Sequence, residues 1–254
     1  MSNPVLTADC LYVNGDSWTR GSELIDPTSS IENHFDPVHE AYRMKHFWPR
    51  LVADQLGLEL IDGSMAGGSN DRLLRTTIED VSRLIMEGRK PFVIVSWTQL
   101  HRFELPEKGG HWRSFVNTKH GDTPRAVKEI WGDWSSDRSD VIRWTQQLLT
   151  LDYFLKMNKV DYLSTTVFKE IYWLFERFTA GEKDYFKPYL HQINQHVKLS
   201  RHSLNLSMET ALSWHSDVTY GPGGHPLAKG HELLAEQILS QINSKYQFQR
   251  LQDQ

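Results

Sequence analysis

The sequence predicts an α/β fold: a three-layer α/β/α sandwich with a central parallel sheet, the architecture shared by flavodoxin-like and related folds. Three observations predict it. Short apolar runs end in glycine-bearing turns, longer segments of helical period follow them, and the run Pro91 to Trp97 is apolar enough to be buried on both faces. At 254 residues the chain can bury a large core, and a single domain over 1–254 is expected, with no repeat, low-complexity tract or linker dividing it.

The elements follow in order. Cys10 to Asn14 reads as the first strand, running straight into Gly15-Asp16-Ser17. His39 to Leu56 reads as one helix, stopped by Gly57. Leu58 to Ile61 is the second strand, and Ser69 or Asn70 caps the helix after it, whose stripe is Leu74, Ile78, Val81 and Ile85. Pro91 to Trp97 is the third strand, placed centrally. Over His101 to Arg138 glycine, charge and tryptophan mix without a period, and a segment that long suggests a functional insertion (about 101–138). Val141 to Lys156 resumes helical spacing, Tyr162 to Val167 can form a fourth strand, and 168–212 reads as a second insertion. Pro226 is placed in the first turn of a last helix lined by Leu227, Leu234, Ile238 and Ile242.

Composition narrows the function. With 28 basic and 32 acidic side chains the formal charge is −4, so no broad basic field draws nucleic acid. No stretch approaches the ~18 apolar residues of a membrane span, and the N-terminus lacks a basic and apolar leader. A cytoplasmic protein is the expectation, release without a signal being the exception it would miss. The single cysteine, Cys10, can form neither an internal disulfide nor a thiolate metal site. Among twelve histidines, His215, His225 and His231 lie close in sequence, but no helical His pair supports a metal, so none is expected.

Parallel sheets gather reactive groups at the carboxyl ends of their strands, which is where Ser17 falls. A serine hydroxyl attacks near neutral pH only when a base takes its proton. His225-Pro226, near the other end of the chain, supplies a candidate imidazole.

These residues resemble the SGNH (GDSL) hydrolase family. Gly15-Asp16-Ser17 with Gly21 is similar to its first block, and His225-Pro226-Leu227-Ala228-Lys229-Gly230-His231 to its last. The resemblance implies Ser17 as nucleophile, His225 as base and no cofactor. It further implies oxyanion donors from the N–H of Ser17, a glycine N–H in a second block and an asparagine side chain in a third. Ala66-Gly67-Gly68-Ser69-Asn70 resembles the second block, with Gly67 or Gly68 as donor.

The third block departs from the pattern. Ser96-Trp97-Thr98-Gln99 stands where Gly-x-Asn-Asp is expected, leaving Asn70 by its chemistry and Thr98 by its position as replacements. The acid departs as well, since the family's aspartate three residues before the histidine is here Pro222. Asp217 is the nearest acid; otherwise a Ser-His dyad operates. Asp16 and His231 are read as structural.

In the first insertion, Trp112 and Trp134 suit stacking on sugar rings and Arg102 suits a carboxylate, the alternative being a lid packed on the domain. The expectation is a serine esterase acting on a small-molecule or carbohydrate ester, with an O-acyl carbohydrate favoured. A catalytically weak or inactive binding module on the same fold is the competing reading.

Overall fold

A computed structural model of the chain describes residues 5–30, 36–115, 136–168 and 207–248, together with 127, 129, 181 and 185–188. Strands β1 (Val5–Leu6) and β8 (Gln247–Phe248) form a small parallel pair. The central sheet contains β2 (Cys10–Asn14), β3 (Glu59–Asp62), β4 (Pro91–Trp97) and β7 (Tyr162–Thr166) in the order β3-β2-β4-β7, all parallel. Its register sets Tyr12 beside Ile61 and Val93.

Alternation along β2 and β4 builds two cores. Leu11, Val13, Phe92 and Ile94 face helix α3 (Trp48–Leu56) and the last helix, α7 (Ala228–Lys245). Tyr12, Val93, Val95 and Trp97 face α4 (Asn70–Met86) and α5 (Asp137–Met157). The sheet is thus covered on both faces, as a parallel sheet requires. Cys10 lies within β2 with no exposed surface, and burial first, with the neighbouring Asp9 carboxylate, pushes its thiol up to about 12.

Chain connections leaving β2 and β4 go to opposite faces. The first descends through α1 (Ser17–Arg20), α2 (Pro37–His46) and α3, the second through α5. That divergence makes the carboxyl ends of β2 and β4 the crevice where open α/β sheets hold ligands.

Several boundaries differ from the sequence reading. The segment His39 to Leu56 is two helices, α2 and α3, separated by Phe47 in extended conformation. Pro49 is the reason: lacking an N–H and crowding the preceding turn, it fits the start of a helix and not its interior. The Trp48 N–H freed at the break donates to Nδ1 of the buried His231. On α4 the fully covered stripe is Leu73, Thr77, Val81 and Leu84, with Leu74, Ile78 and Ile85 at its margin; Ser69 caps the helix by accepting from the Arg72 N–H.

The supposedly aperiodic start of the first insertion is an antiparallel hairpin of β5 (Phe103–Pro106) and β6 (Trp112–Phe115). Glu104 there holds Arg75 of α4 at 2.9 Å. Pro226 precedes α7 rather than entering it, because it pairs with Tyr220 across a short bridge and Leu227 is the cap. The second insertion is described only at 168, 181, 185–188 and 207–212, where α6 (Met208–Leu212) packs into the first core. Among the described residues no helix is long and apolar enough to cross a membrane.

Candidate active site

The site is built where β2 ends. Asp16, in extended conformation, caps α1 by accepting from the Trp18 N–H at 3.0 Å, which leaves Ser17 as the first helical residue. A first helical residue has no intrahelical acceptor for its N–H, so that donor stays available.

His225 arrives on a hairpin closed by the Leu227 N–H to the Thr219 carbonyl at 3.0 Å and the Gly221 N–H to the His225 carbonyl at 2.9 Å. Its Nε2 lies 2.8 Å from Ser17 Oγ. Its Nδ1 lies 2.8 Å from Glu23 Oε2, which also accepts the His225 backbone N–H at 3.0 Å. Oε1 of Glu23 accepts from the Gly223 N–H at 2.7 Å. Burial opposes ionisation of Glu23, but these N–H donors and the imidazole outweigh it and hold the carboxyl below its ordinary range.

The tautomer follows. An ionised carboxylate only accepts, so Nδ1 of His225 carries the proton, Nε2 presents a lone pair, and the Ser17 hydroxyl donates to it. This is the geometry in which a serine proton can be transferred.

Asp217 is therefore not the acid beside His225. It lies exposed in a turn before the hairpin, while Glu23, from the loop following α1, fills the place behind the imidazole. The glycines of 221–224 explain how. A Cβ at Gly221 would stand 2.7 Å from Glu23 Cδ, and one at Gly223 3.1 Å from Oε1, so the hairpin backbone must be bare to admit the carboxylate. A glycine-rich run with no acid of its own, opposite a loop that carries one, was the signal available in the sequence.

The two glycines of the second-block turn differ in their hydrogen bonds. Gly68 donates its N–H to the Met65 carbonyl at 3.0 Å, closing a turn in which Gly67 has φ 71°. The Gly67 N–H has no acceptor among the described residues. Met65 donates to the Gly15 carbonyl at 3.0 Å, tying this turn to the loop that carries Ser17.

Both expected replacements for the missing asparagine are otherwise engaged. Asn70 Oδ1 accepts from the Thr98 N–H at 2.9 Å, and its Nδ2 donates to the carbonyls of Thr98 and Gln99 at 3.1 and 3.5 Å. The Thr98 hydroxyl donates to Asp16 Oδ2 at 2.5 Å. Asn70 braces the loop after β4, and Thr98 ties that loop to the residue preceding Ser17.

Arg102 is likewise not an exposed side chain placed to bind a substrate carboxylate. It is buried, its NH1 donating to Asp16 Oδ2 at 3.2 Å and the Gly68 carbonyl at 3.4 Å and its Nε to Gln99 Oε1 at 3.2 Å. Trp112 packs its ring under the Arg75 guanidinium, 4.9 Å from centroid to carbon, on the hairpin against α4. Trp134 lies outside the described residues. Trp18, the residue after Ser17, is buried in the first core 5.6 Å from Phe168 and 6.3 Å from Tyr220, and Tyr220 is exposed. No group of His, Cys, Asp and Glu able to hold a metal occurs among the described residues.

A family of unknown function, DUF6071, matches residues 28–254, a span that starts beyond Ser17 and Glu23. Among curated proteins none matches the sequence. In structure the chain is similar to a carbohydrate esterase whose active site is described as displaying divergent catalytic and non-catalytic binding functions. Identity is 12%, the TM-score is 0.50, and the match covers 94% of this chain and 70% of that one. It is also similar to the psychrotrophic esterase EstA from Pseudoalteromonas sp., at 11% identity and TM-score 0.45 over 93% of this chain and 97% of that one. A member of the lipolytic protein G-D-S-L family from Veillonella parvula follows at 10% identity and TM-score 0.43, over 91% and 96%. At these identities the likeness concerns the fold, which is that of the SGNH hydrolases.

Proposed function

We propose that this chain, which belongs to DUF6071, a family of unknown function, is a serine esterase working through a Ser17-His225-Glu23 triad. One observation carries the reading: Ser17 Oγ, the His225 imidazole and the Glu23 carboxylate form a continuous hydrogen-bonded line, 2.8 Å at each step.

Ser17 Oγ attacks the ester carbonyl as its proton passes to His225 Nε2. Glu23 stabilises the imidazolium so formed without itself being protonated. The oxyanion is received by the N–H groups of Ser17 and Gly67. Collapse breaks the bond to the alcohol, which leaves with the proton from Nε2. Water, deprotonated by the same nitrogen, then attacks the acyl-enzyme, and the acid departs as Ser17 is restored. No step requires a cofactor.

The surroundings of the serine support one substrate class. The exposed Tyr220, which packs against Trp18 on the hairpin that carries His225, offers a ring face near the triad and favours an O-acyl carbohydrate. The esterase named among the structural neighbours as acting on carbohydrate is consistent with this choice.

The test is hydrolysis of p-nitrophenyl acetate and of acetylated oligosaccharides, with fluorophosphonate labelling. Wild type is expected to hydrolyse and to be labelled, and a folded Ser17→Ala to do neither. A wild-type protein that turns over no ester on the panel and takes no label overturns the esterase reading and leaves a binding module.

A further inference from the structure

We infer that Arg102 is the third oxyanion donor, its NH2 group taking the place of the asparagine missing from the loop after β4. This deepens the esterase reading and rests on it.

Asn70 has both amide hydrogens directed at the carbonyls of Thr98 and Gln99, and the Thr98 hydroxyl is directed at Asp16, so neither can turn to a substrate without breaking the loop that holds it. Arg102 occupies the same loop. Its NH1 bonds Asp16 Oδ2 and the Gly68 carbonyl, so the guanidinium is wedged between the residue before Ser17 and the residue after Gly67. Ser17 and Gly67, adjacent in sequence to those two residues, carry the two available backbone N–H donors.

Nε is fixed on Gln99, and the Arg102 carbonyl is gripped by Arg143 of α5 at 3.2 Å, so both ends of the residue are anchored. NH2 has no acceptor among the described residues. The side chain is about nine-tenths covered, with 10% of its surface exposed. A planar guanidinium held at Nε and NH1 has no freedom left in NH2, which is the pre-organisation an oxyanion donor needs. Arg102 thereby combines two roles, balancing the buried Asp16 through NH1 and meeting developing negative charge through NH2.

The experiment uses the full chain with active sites counted by fluorophosphonate titration. Arg102→Lys keeps a positive charge near Asp16 but loses the fork, and its kcat per titrated site is expected to fall about 100-fold with KM little changed. Affinity for a boronic acid, which adds Ser17 Oγ to form a tetrahedral anion while His225 takes the proton, should fall in parallel. Guanidinium added to Arg102→Ala should restore part of the rate.

In wild type, which needs no variant to fold, boronic acid binding should shift the Arg102 guanidinium 15N–1H resonances. A variant that loses only thermal stability while keeping kcat and boronate affinity overturns the assignment, as do unshifted wild-type resonances. Absence of hydrolysis and labelling in wild type would instead sink the esterase reading itself.

Discussion

Glu23 and His225 are 202 positions apart and share a carboxylate oxygen, Oε2, which receives both the backbone N–H and the ring Nδ1–H of the histidine. One acidic oxygen therefore fixes the position of the hairpin and the tautomer of its imidazole together.

Replacing Glu23 by Gln keeps the shape but presents an amide, whose N–H favours the wrong imidazole tautomer. We expect kcat for p-nitrophenyl acetate on the order of 10³ to 10⁴-fold lower, with the protein still folded. Asp217→Asn, by contrast, should leave kcat unchanged. The reverse pattern in steady-state kinetics would return the acid to Asp217.

Gly221→Ala drives a methyl group to 2.7 Å from Glu23 Cδ, so the carboxylate must move. Displacement by about 1 Å costs on the order of 100-fold in rate, and a matching drop in kcat/KM is expected. Gly224 has φ 79° and nothing within 4 Å of an added Cβ. Gly224→Ala should then cost ~1 kcal/mol of stability from backbone strain alone, with activity retained. Thermal melts and rates on the two variants separate these effects.

His231 is buried, and desolvation first, with the nearby charges of His225 and Arg43, lowers its imidazole to about 3. In the unfolded chain the same group titrates at ~6.5. Between those values the unfolded chain binds a proton that the folded one refuses. Stability is intact above the upper value and declines as the pH falls toward the lower. Urea unfolding across this window should show a decline that His231→Gln, less stable throughout, shows less steeply. Parallel slopes would place the acid lability elsewhere.

Asn70→Ala leaves the Thr98 N–H and carbonyl without their partner. A loss of ~1–3 kcal/mol in unfolding free energy is expected, as for other stranded buried groups. The drop of ~100-fold or more in kcat that marks removal of an oxyanion donor should not appear in titrated enzyme. Finding it would make Asn70 a donor after all.

Local signals in the chain foretold much of this. The parallel sheet was legible because Cys10–Asn14 and Pro91–Trp97 are nearly continuous apolar runs, and the pairing of Ser17 with His225 because each sits in a recognisable block of residues. Glu23 was not, because its partnership depends on two loops, 202 positions apart, meeting in space, whereas Asp217 is the nearest acid upstream of His225 along the chain. Asn70 and Thr98 were equivalent as donors on paper; only the hydrogen bonds between the loops show that both are occupied. The hairpin of β5 and β6 was not legible because its strands are four residues each and interleave charge with aromatic side chains.

Cys10, sealed inside the sheet with its thiol held far from ionisation, bears on how covalent chemistry can be followed in this protein. Soft electrophiles that would ordinarily alkylate a thiolate find none here in the folded state. Any adduct seen by intact-mass spectrometry after brief exposure to a phosphonylating or acylating reagent can thus be assigned without first blocking sulfur, and a mass increment surviving Ser17→Ala would flag an unsuspected second nucleophile.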